Sequence, residues 1–238
     1  MKNGNSREKK GERMTEFLQS IDLFADMSGE EIGQILTHAG ARMVSYEKNQ
    51  VIFREGEQPR YIFVLLGGRL LISKHLPSGR RNVICEIHEK EIFGILVDPF
   101  QGETYWYDAM ALADCQALCI PWEFLFDRQQ MASELHLKFV RNMFRVQSDI
   151  NVYQMKKLNI LAGATLEARI GRLILQRMDA QGRADFQMNR EELADYLGVT
   201  RPSLSRSLMQ MQRKGLIRVD RWRVQVCNLN ELEKLCIR

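Results

Sequence analysis

The sequence predicts an α+β fold in three parts: an N-terminal β-roll, a long dimerisation helix and a C-terminal winged helix-turn-helix. Three observations predict it. Between Met43 and Pro121, short apolar runs alternate with turn residues, as in a sandwich or roll of short strands. From Phe139 to Ile160, apolar residues return at alternating spacings of four and three. The stretch NREELADYLGVTRPSLSRS, Asn189 to Ser207, then has the layout of two short helices joined by a tight turn.

The start, MKNGNSREKKGER, is polar and charged without an apolar run, so residues 1–13 are expected to be a disordered tail. Two short helical patterns follow, Phe17, Leu18, Ile21 and Leu23, then Ile32, Ile35 and Leu36. Ser28 with Glu31 three residues later makes a capping box for the second. Strands are expected at Val51–Phe53, Tyr61–Leu66, Arg69–Lys74, Asn82–Ile87, Ala109–Leu112 and Cys115–Ile120. Glu55-Gly56-Glu57, Gly67-Gly68 and Pro77-Ser78-Gly79 punctuate them.

Beyond Pro121 the seam Phe139, Met143, Val146, Ile150, Tyr153 and Ile160 calls for burial, with Lys157 at its one polar position. A parallel copy of the helix is the economical partner and gives a two-fold homodimer; the alternative is a helix lying wholly on its own domain. Ala162-Gly163-Ala164 breaks the helix and Thr165 restarts the next, which marks a hinge. Glu191, Leu193, Ala194 and Leu197 supply a first short helix, stopped by Gly198. Thr200 is placed to cap a second helix and Pro202 fits its first turn. Leu204, Leu208 and Met211 form its buried stripe. Gly215–Val219 and Arg223–Val226, flanking Asp220-Arg221-Trp222, would form a wing. The expected divisions are 14–130 for the roll, 131–162 for the helix and 163–238 for the winged module.

Charge separates the two ends. Residues 166–238 hold 14 Lys/Arg against 9 Asp/Glu, whereas the remainder holds 20 against 21. A near-neutral front and a basic back point to a polyanion at the back only. Between Tyr196 and Val219 stand five basic residues and no acidic one. A helix carrying Arg201, Ser203, Ser205, Arg206, Gln210 and Arg213 opposite its apolar stripe suits the major groove of double-stranded DNA. Lys214, Arg218, Arg221 and Arg223 suit phosphates.

Other classes find no support. No run of about 18 apolar residues appears, so no membrane span is expected. The five cysteines, 85, 115, 119, 227 and 236, form no CxxC pair and fit a reducing cytoplasm. Cys115 and Cys119 share a strand face about 13 Å apart, beyond disulfide reach. No GxSxG or phosphate-cradling glycine loop indicates an enzyme, and no paired-histidine spacing indicates a metal site.

The order of parts resembles the cyclic-AMP receptor protein (CRP/FNR) family of bacterial transcription regulators from about Ile21 to Ile237. IDLFADMSGEEI, KNQVIFREGEQPRYIFVLLGGRL, TLEARIGRLIL and LGVTRPSLSRSLMQMQRKGLI carry the match, and the last is specific. The resemblance implies a cyclic-nucleotide-binding-like roll, a dimerisation helix, effector-controlled binding to a near-palindromic operator, and RNA polymerase as a partner. By it, Arg201 and Arg206 match the guanine-reading arginines, while Pro202 stands where the family has a glutamate. With Thr200, Ser203, Ser205, Arg213, Lys214 and Arg221 they form the expected DNA contact.

Departures from the family concern the effector. Cyclic-nucleotide-binding members carry Gly-Glu-Leu and, about ten residues on, Arg-Ser. Here those segments read Gly94-Ile95-Leu96 and Tyr105-Trp106. Ile95 cannot accept from a ribose hydroxyl and Tyr105 brings no cation to a phosphate, which argues against cyclic AMP. No cysteine precedes Cys85, which argues against the family's iron–sulfur cluster. Haem stays open, although His38, His75, His88 and His136 are scattered and read as surface or capping residues. Phe93, Phe100, Tyr105, Trp106 and Tyr107, with Tyr153 from the long helix, either line a pocket for a small apolar or aromatic effector or fill the cavity themselves.

Overall fold

The structure is a computed structural model and describes residues 11, 13–75, 81–95, 101–129, 133–220 and 223–237. Most of the expected N-terminal tail, the Pro77-Ser78-Gly79 turn, Leu96, Phe100, Arg221 and Trp222 lie outside the described residues. The chain divides into two compact units, Met1–Gln147 and Ser148–Arg238.

The first unit begins with helix α1 over 13–19, a 3-10 turn at Asp22–Phe24 and α2 at Gly29–His38. The capping box forms as the spacing requires. Ser28 Oγ accepts from the Glu31 amide at 3.2 Å, and the Ser28 amide donates to Glu31 Oε2 at 2.6 Å. That backbone donor, joined by Lys138 Nζ at 3.1 Å, holds the Glu31 carboxyl below its ordinary pKa.

Eight strands follow: β1 (Arg42–Tyr46), β2 (Val51–Phe53), β3 (Tyr61–Gly67), β4 (Leu70–His75), β5 (Arg81–Ile87), β6 (Ile92–Phe93), β7 (Asp108–Ala111) and β8 (Cys115–Pro121). They build two four-stranded antiparallel sheets, ordered β1-β8-β3-β6 and β2-β7-β4-β5. β1 and β6 were not separately expected. β1 is mostly solvent-facing and β6 has two residues, so neither carries the alternation that announces a strand.

α3 (Glu134–Leu161) follows a second 3-10 turn at Trp122–Phe126. Its first half is clamped to the first unit. The Phe139 ring lies 6.1 Å from that of Phe24 and 5.6 Å from that of Phe124. Asn142 Nδ2 donates to the carbonyls of Leu23 (3.2 Å) and Ala25 (2.8 Å). His136 departs from its expected surface place. It is buried edge-on to Phe124, its Nε2 3.2 Å from the Leu125 carbonyl.

The second unit joins the rest of α3 to α4 (Leu166–Arg177), β9 (Arg183–Asp185), α5 (Arg190–Tyr196), α6 (Arg201–Arg213), β10 (Ile217–Asp220), β11 (Arg223–Val226) and α7 (Leu229–Ile237). The three strands form one antiparallel sheet, β10-β11-β9. Ile160, Leu173, Ile174, Leu193, Leu197, Leu204, Leu208, Met211 and Leu232 share its core. The break between α3 and α4, expected as a hinge between domains, falls inside the second unit and is tied by two arginines. Arg169 Nε donates to the Gly163 carbonyl at 3.0 Å, while Arg172 reaches the Asn159 carbonyl at the end of α3 (2.8 Å) and the Cys236 carbonyl at the end of α7 (2.9 Å). A cation suits helix C-termini, where carbonyls lack intrahelical partners.

Candidate nucleic-acid interface

α5 and α6 are set by their caps. Asn189 Oδ1 accepts from the amides of Glu191 (2.9 Å) and Glu192 (3.0 Å), and Glu192 Oε2 accepts from the Asn189 amide at 2.7 Å. Gly198, at φ 67°, then turns the chain out of α5 through the left-handed region that L side chains resist. Thr200 occupies the N-cap of α6 with extended backbone, but its side chain makes no capping bond to an amide. Pro202 has no N–H to offer, and Thr200 Oγ1 instead meets Ser203 Oγ at 2.9 Å.

Leu204, Leu208 and Met211 anchor α6 inward, which turns Pro202, Arg206, Met209, Gln210 and Arg213 outward. Arg206 lies along its own helix, its Nε 3.4 Å from the Pro202 carbonyl and its Nη2 3.3 Å from Ser203 Oγ. Arg201 stands 3.8 Å from Glu191, both exposed. Ser203 and Ser205 are half-buried. Lys214 Nζ, just past α6, pairs with Glu167 Oε2 at 2.8 Å. On the wing, Arg223 Nε pairs with Asp185 Oδ2 at 3.3 Å, and Gln212 Oε1 accepts from the Val219 amide at 3.0 Å, bracing β10 against α6. The basic groups are thus exposed on a packed frame, in short contacts that a phosphate or base edge can replace. Arg221 is outside the described residues.

The residues expected to line an effector pocket have a different setting. Tyr105 stacks on Phe53 at 3.7 Å, Phe63 on Phe93 at 4.8 Å, and Tyr107 meets Phe53 edge-on at 5.6 Å. Gly94 passes so close to Phe63 that a Cβ there would lie 2.8 Å from its ring. Ile95 and Tyr105 are buried, whereas Trp106 and Tyr153 are exposed. Phe53 and Phe63, which complete this ring cluster, escaped the sequence reading because they sit on β2 and β3, far in sequence from the aromatic run at 105–107. The Tyr105 hydroxyl is fully enclosed and has no hydrogen-bond partner. Burial first, then the neighbouring Tyr107 and Glu57, push its pKa up, so the phenol stays a neutral donor.

The expected seam of α3 divides. Phe139, Met143 and Val146 are buried, Ile150 is half-buried, Tyr153 is exposed and Ile160 sits in the core of the second unit. Phe139 has found partners within its own chain, Phe24 and Phe124. Besides Tyr153 (51% exposed), the large apolar side chains that α3 leaves in solvent lie off that seam: Leu137 (56%), Phe144 (77%), Val152 (47%), Met155 (67%) and Leu158 (60%). Among the described residues no His/Cys/Asp/Glu group is arranged to hold a metal ion, and no helix is long and apolar enough to cross a membrane.

Residues 43–129 match the family model described as a cyclic nucleotide-binding domain, and 168–235 match the Crp-like helix-turn-helix domain. The transcriptional regulator LdrP of Thermus thermophilus is 26% identical over 199 residues, 81% of this chain and 95% of that protein. The nitrogen fixation regulation protein FixK of Azorhizobium caulinodans is 25% identical over 195 residues, 77% of this chain and 74% of that protein. Two solved structures share the fold. CprK complexed with OCPA has a TM-score of 0.57 at 15% identity, covering 87% of this chain and 93% of its own. A CooA mutant from Carboxydothermus hydrogenoformans has a TM-score of 0.53 at 18% identity, covering 89% and 92%.

Proposed function

Because this chain belongs to the cyclic-AMP receptor protein (CRP/FNR) family of DNA-binding transcription regulators, we propose that it acts as a homodimer on a near-palindromic operator. One α6 reads each half-site, and RNA polymerase is the machinery it addresses. The carrying observation is the face of α6: Pro202, Arg206, Gln210 and Arg213 exposed together, with no acidic side chain among them. Arg206 is the main base reader, since an arginine can bond the O6 and N7 of guanine at once. Thr200, Arg201, Ser203 and Ser205 surround it. Lys214 and Arg221 bind phosphates, Lys214 by exchanging Glu167 for the backbone.

The dimer forms through the exposed stripe of α3. Leu137, Phe144, Met155 and Leu158, with Arg141, Ser148 and Asn151 between them, keep the four–three spacing. At about 100° per residue its apolar members lie about 100–160° around the helix from Phe139, away from that face. α3 can therefore pack on its own chain and on a partner together. The roll responds to something other than a cyclic nucleotide. Its interior is held by rings, and among these rings the Tyr105 hydroxyl is an orphaned polar group that suits a small apolar or aromatic effector with a single hydrogen-bonding atom.

Two variants test the DNA reading. Arg206→Ala should cost about 1–3 kcal/mol per half-site on the cognate operator and relax discrimination at one guanine. Arg221→Ala should weaken operator and scrambled duplex alike and lower the salt dependence by about one charge per subunit. Competition binding separates them. An unchanged operator-to-scrambled ratio in Arg206→Ala would remove Arg206 as a reader and, with it, this orientation of α6.

A further inference from the structure

Met209 is a large apolar side chain on the outward face of the recognition helix, 53% exposed. Every other exposed residue of α6 is arginine, glutamine or Pro202. Isolated exposed hydrophobics are ordinary on protein surfaces, so exposure alone says little. Its place in the helix says more. Pro202, Arg206, Met209 and Arg213 follow one another at i, i+4, i+7 and i+11, the spacing of a single stripe. At about 100° per residue, Met209 lies about 20° around the axis from Pro202 and about 60° from Arg206. Leu204, Leu208 and Met211 fix this stripe outward because they fill the opposite side.

We infer that Met209 is a specificity-determining residue that reads the 5-methyl group of a thymine in each half-site. The inference rests on the proposed DNA reading by α6. Pro202 to Met209 is a rise of about 10.5 Å, about three base steps, with Arg206 between them. An apolar side chain cannot bond a base edge or a phosphate. The one apolar group on the major-groove edge of a base pair is the thymine methyl. Methionine suits that contact, since its unbranched, polarizable chain adapts to a small convex group. A lysine or glutamine there would stay hydrated; methionine gains from the dehydration that docking brings.

The test removes the methyl and nothing else. Operators are first selected by the wild-type protein from a random duplex library, and each thymine is then replaced singly by deoxyuridine. One thymine position per half-site should lose about fourfold in affinity when the methyl is removed, the factor for one methyl-sized group leaving an apolar contact. Met209→Ala, melting with the wild type because the side chain is exposed, should bind the thymine and uracil operators equally while keeping its guanine preference. If no thymine responds to demethylation, or if Met209→Ala responds as the wild type does, the inference is overturned and Arg206 remains a reader. If no sequence is enriched at all, the proposed DNA reading fails and takes this inference with it.

Discussion

The roll and the winged module use their distinctive side chains in opposite directions. In the roll the rings turn inward: Phe53, Phe63, Phe93, Tyr105 and Tyr107 pack on one another between two sheets. In the winged module the cations turn outward, and Arg201, Arg206 and Arg213 stand in solvent over a core of leucines. A surface that meets DNA has a partner of known shape and charge, so its residue types declare their use. An interior that meets a small molecule has no such fixed partner. The same rings serve as pocket lining or as filling, and only their packing distinguishes the two. Stacking at 3.7 Å makes Phe53 and Tyr105 filling first.

Truncating a ring of the filling is expected to have the largest effect. Phe53→Ala removes a buried ring that stacks on Tyr105 and meets Phe63 and Phe93, and should cost about 3–5 kcal/mol of stability. Arg206→Ala, on the exposed side of the comparison, should change stability by no more than about 0.5 kcal/mol. Urea denaturation followed by tryptophan fluorescence measures both. A loss below about 1 kcal/mol for Phe53→Ala would mean that the rings line open space, and the contrast between the two ends would collapse.

The fold was legible where local chemistry and packing agree. The Ser28–Glu31 capping box, the Gly198 turn and the buried stripe of α6 each follow from a residue spacing that only one structure satisfies. β1 escaped because its outward side chains break the alternation, and β6 because two residues carry no period. Thr200 was placed correctly but not its hydroxyl, since the missing N–H of Pro202 changes which partner is in reach. The α3 seam was a subtler case. A four–three period reports that a face is buried and is silent on whether the cover is a second copy or the same chain. Phe24 and Phe124 come from segments distant in sequence, so their hold on Phe139 was not readable. Met209 gives no signal in the sequence, because a single methionine beside the Leu204, Leu208 and Met211 stripe reads as one more apolar residue of the helix.

That seam also extends the comparison to assembly. Phe144 is 77% exposed and Val146, two residues on, is buried. Phe144→Glu should leave each chain folded and raise the dimer dissociation constant at least about thirtyfold, as for an interface residue worth about 2 kcal/mol. Val146→Glu should lower the melting temperature of the first unit, because it forces a charge into that unit's packing. Sedimentation velocity with a thermal melt reads both. A wild-type-like dimer in Phe144→Glu, with dissociation in a still-folded Val146→Glu, would return the interface to the Phe139 face.

The smallest effect bears on whether the filled interior still has room for recognition. The Tyr105 hydroxyl is enclosed without a partner, a condition that typically costs about 1–3 kcal/mol relative to a satisfied group. Phenylalanine keeps the ring that stacks on Phe53 and discards the orphan. Tyr105→Phe should therefore stabilise the protein by about 1 kcal/mol, a rise of about 2–4 °C in melting temperature for a unit of this size. The phenol is held neutral by burial, so the gain should not depend on pH across the neutral range. A small-molecule screen by thermal shift supplies the second half of the test. A compound that accepts from this hydroxyl should raise the melting temperature of the wild type and lose most of that effect on Tyr105→Phe. If the variant is instead less stable than the wild type with no compound added, the hydroxyl already has a partner. Tyr105 would then be structural, and the case for an effector at this group would end there.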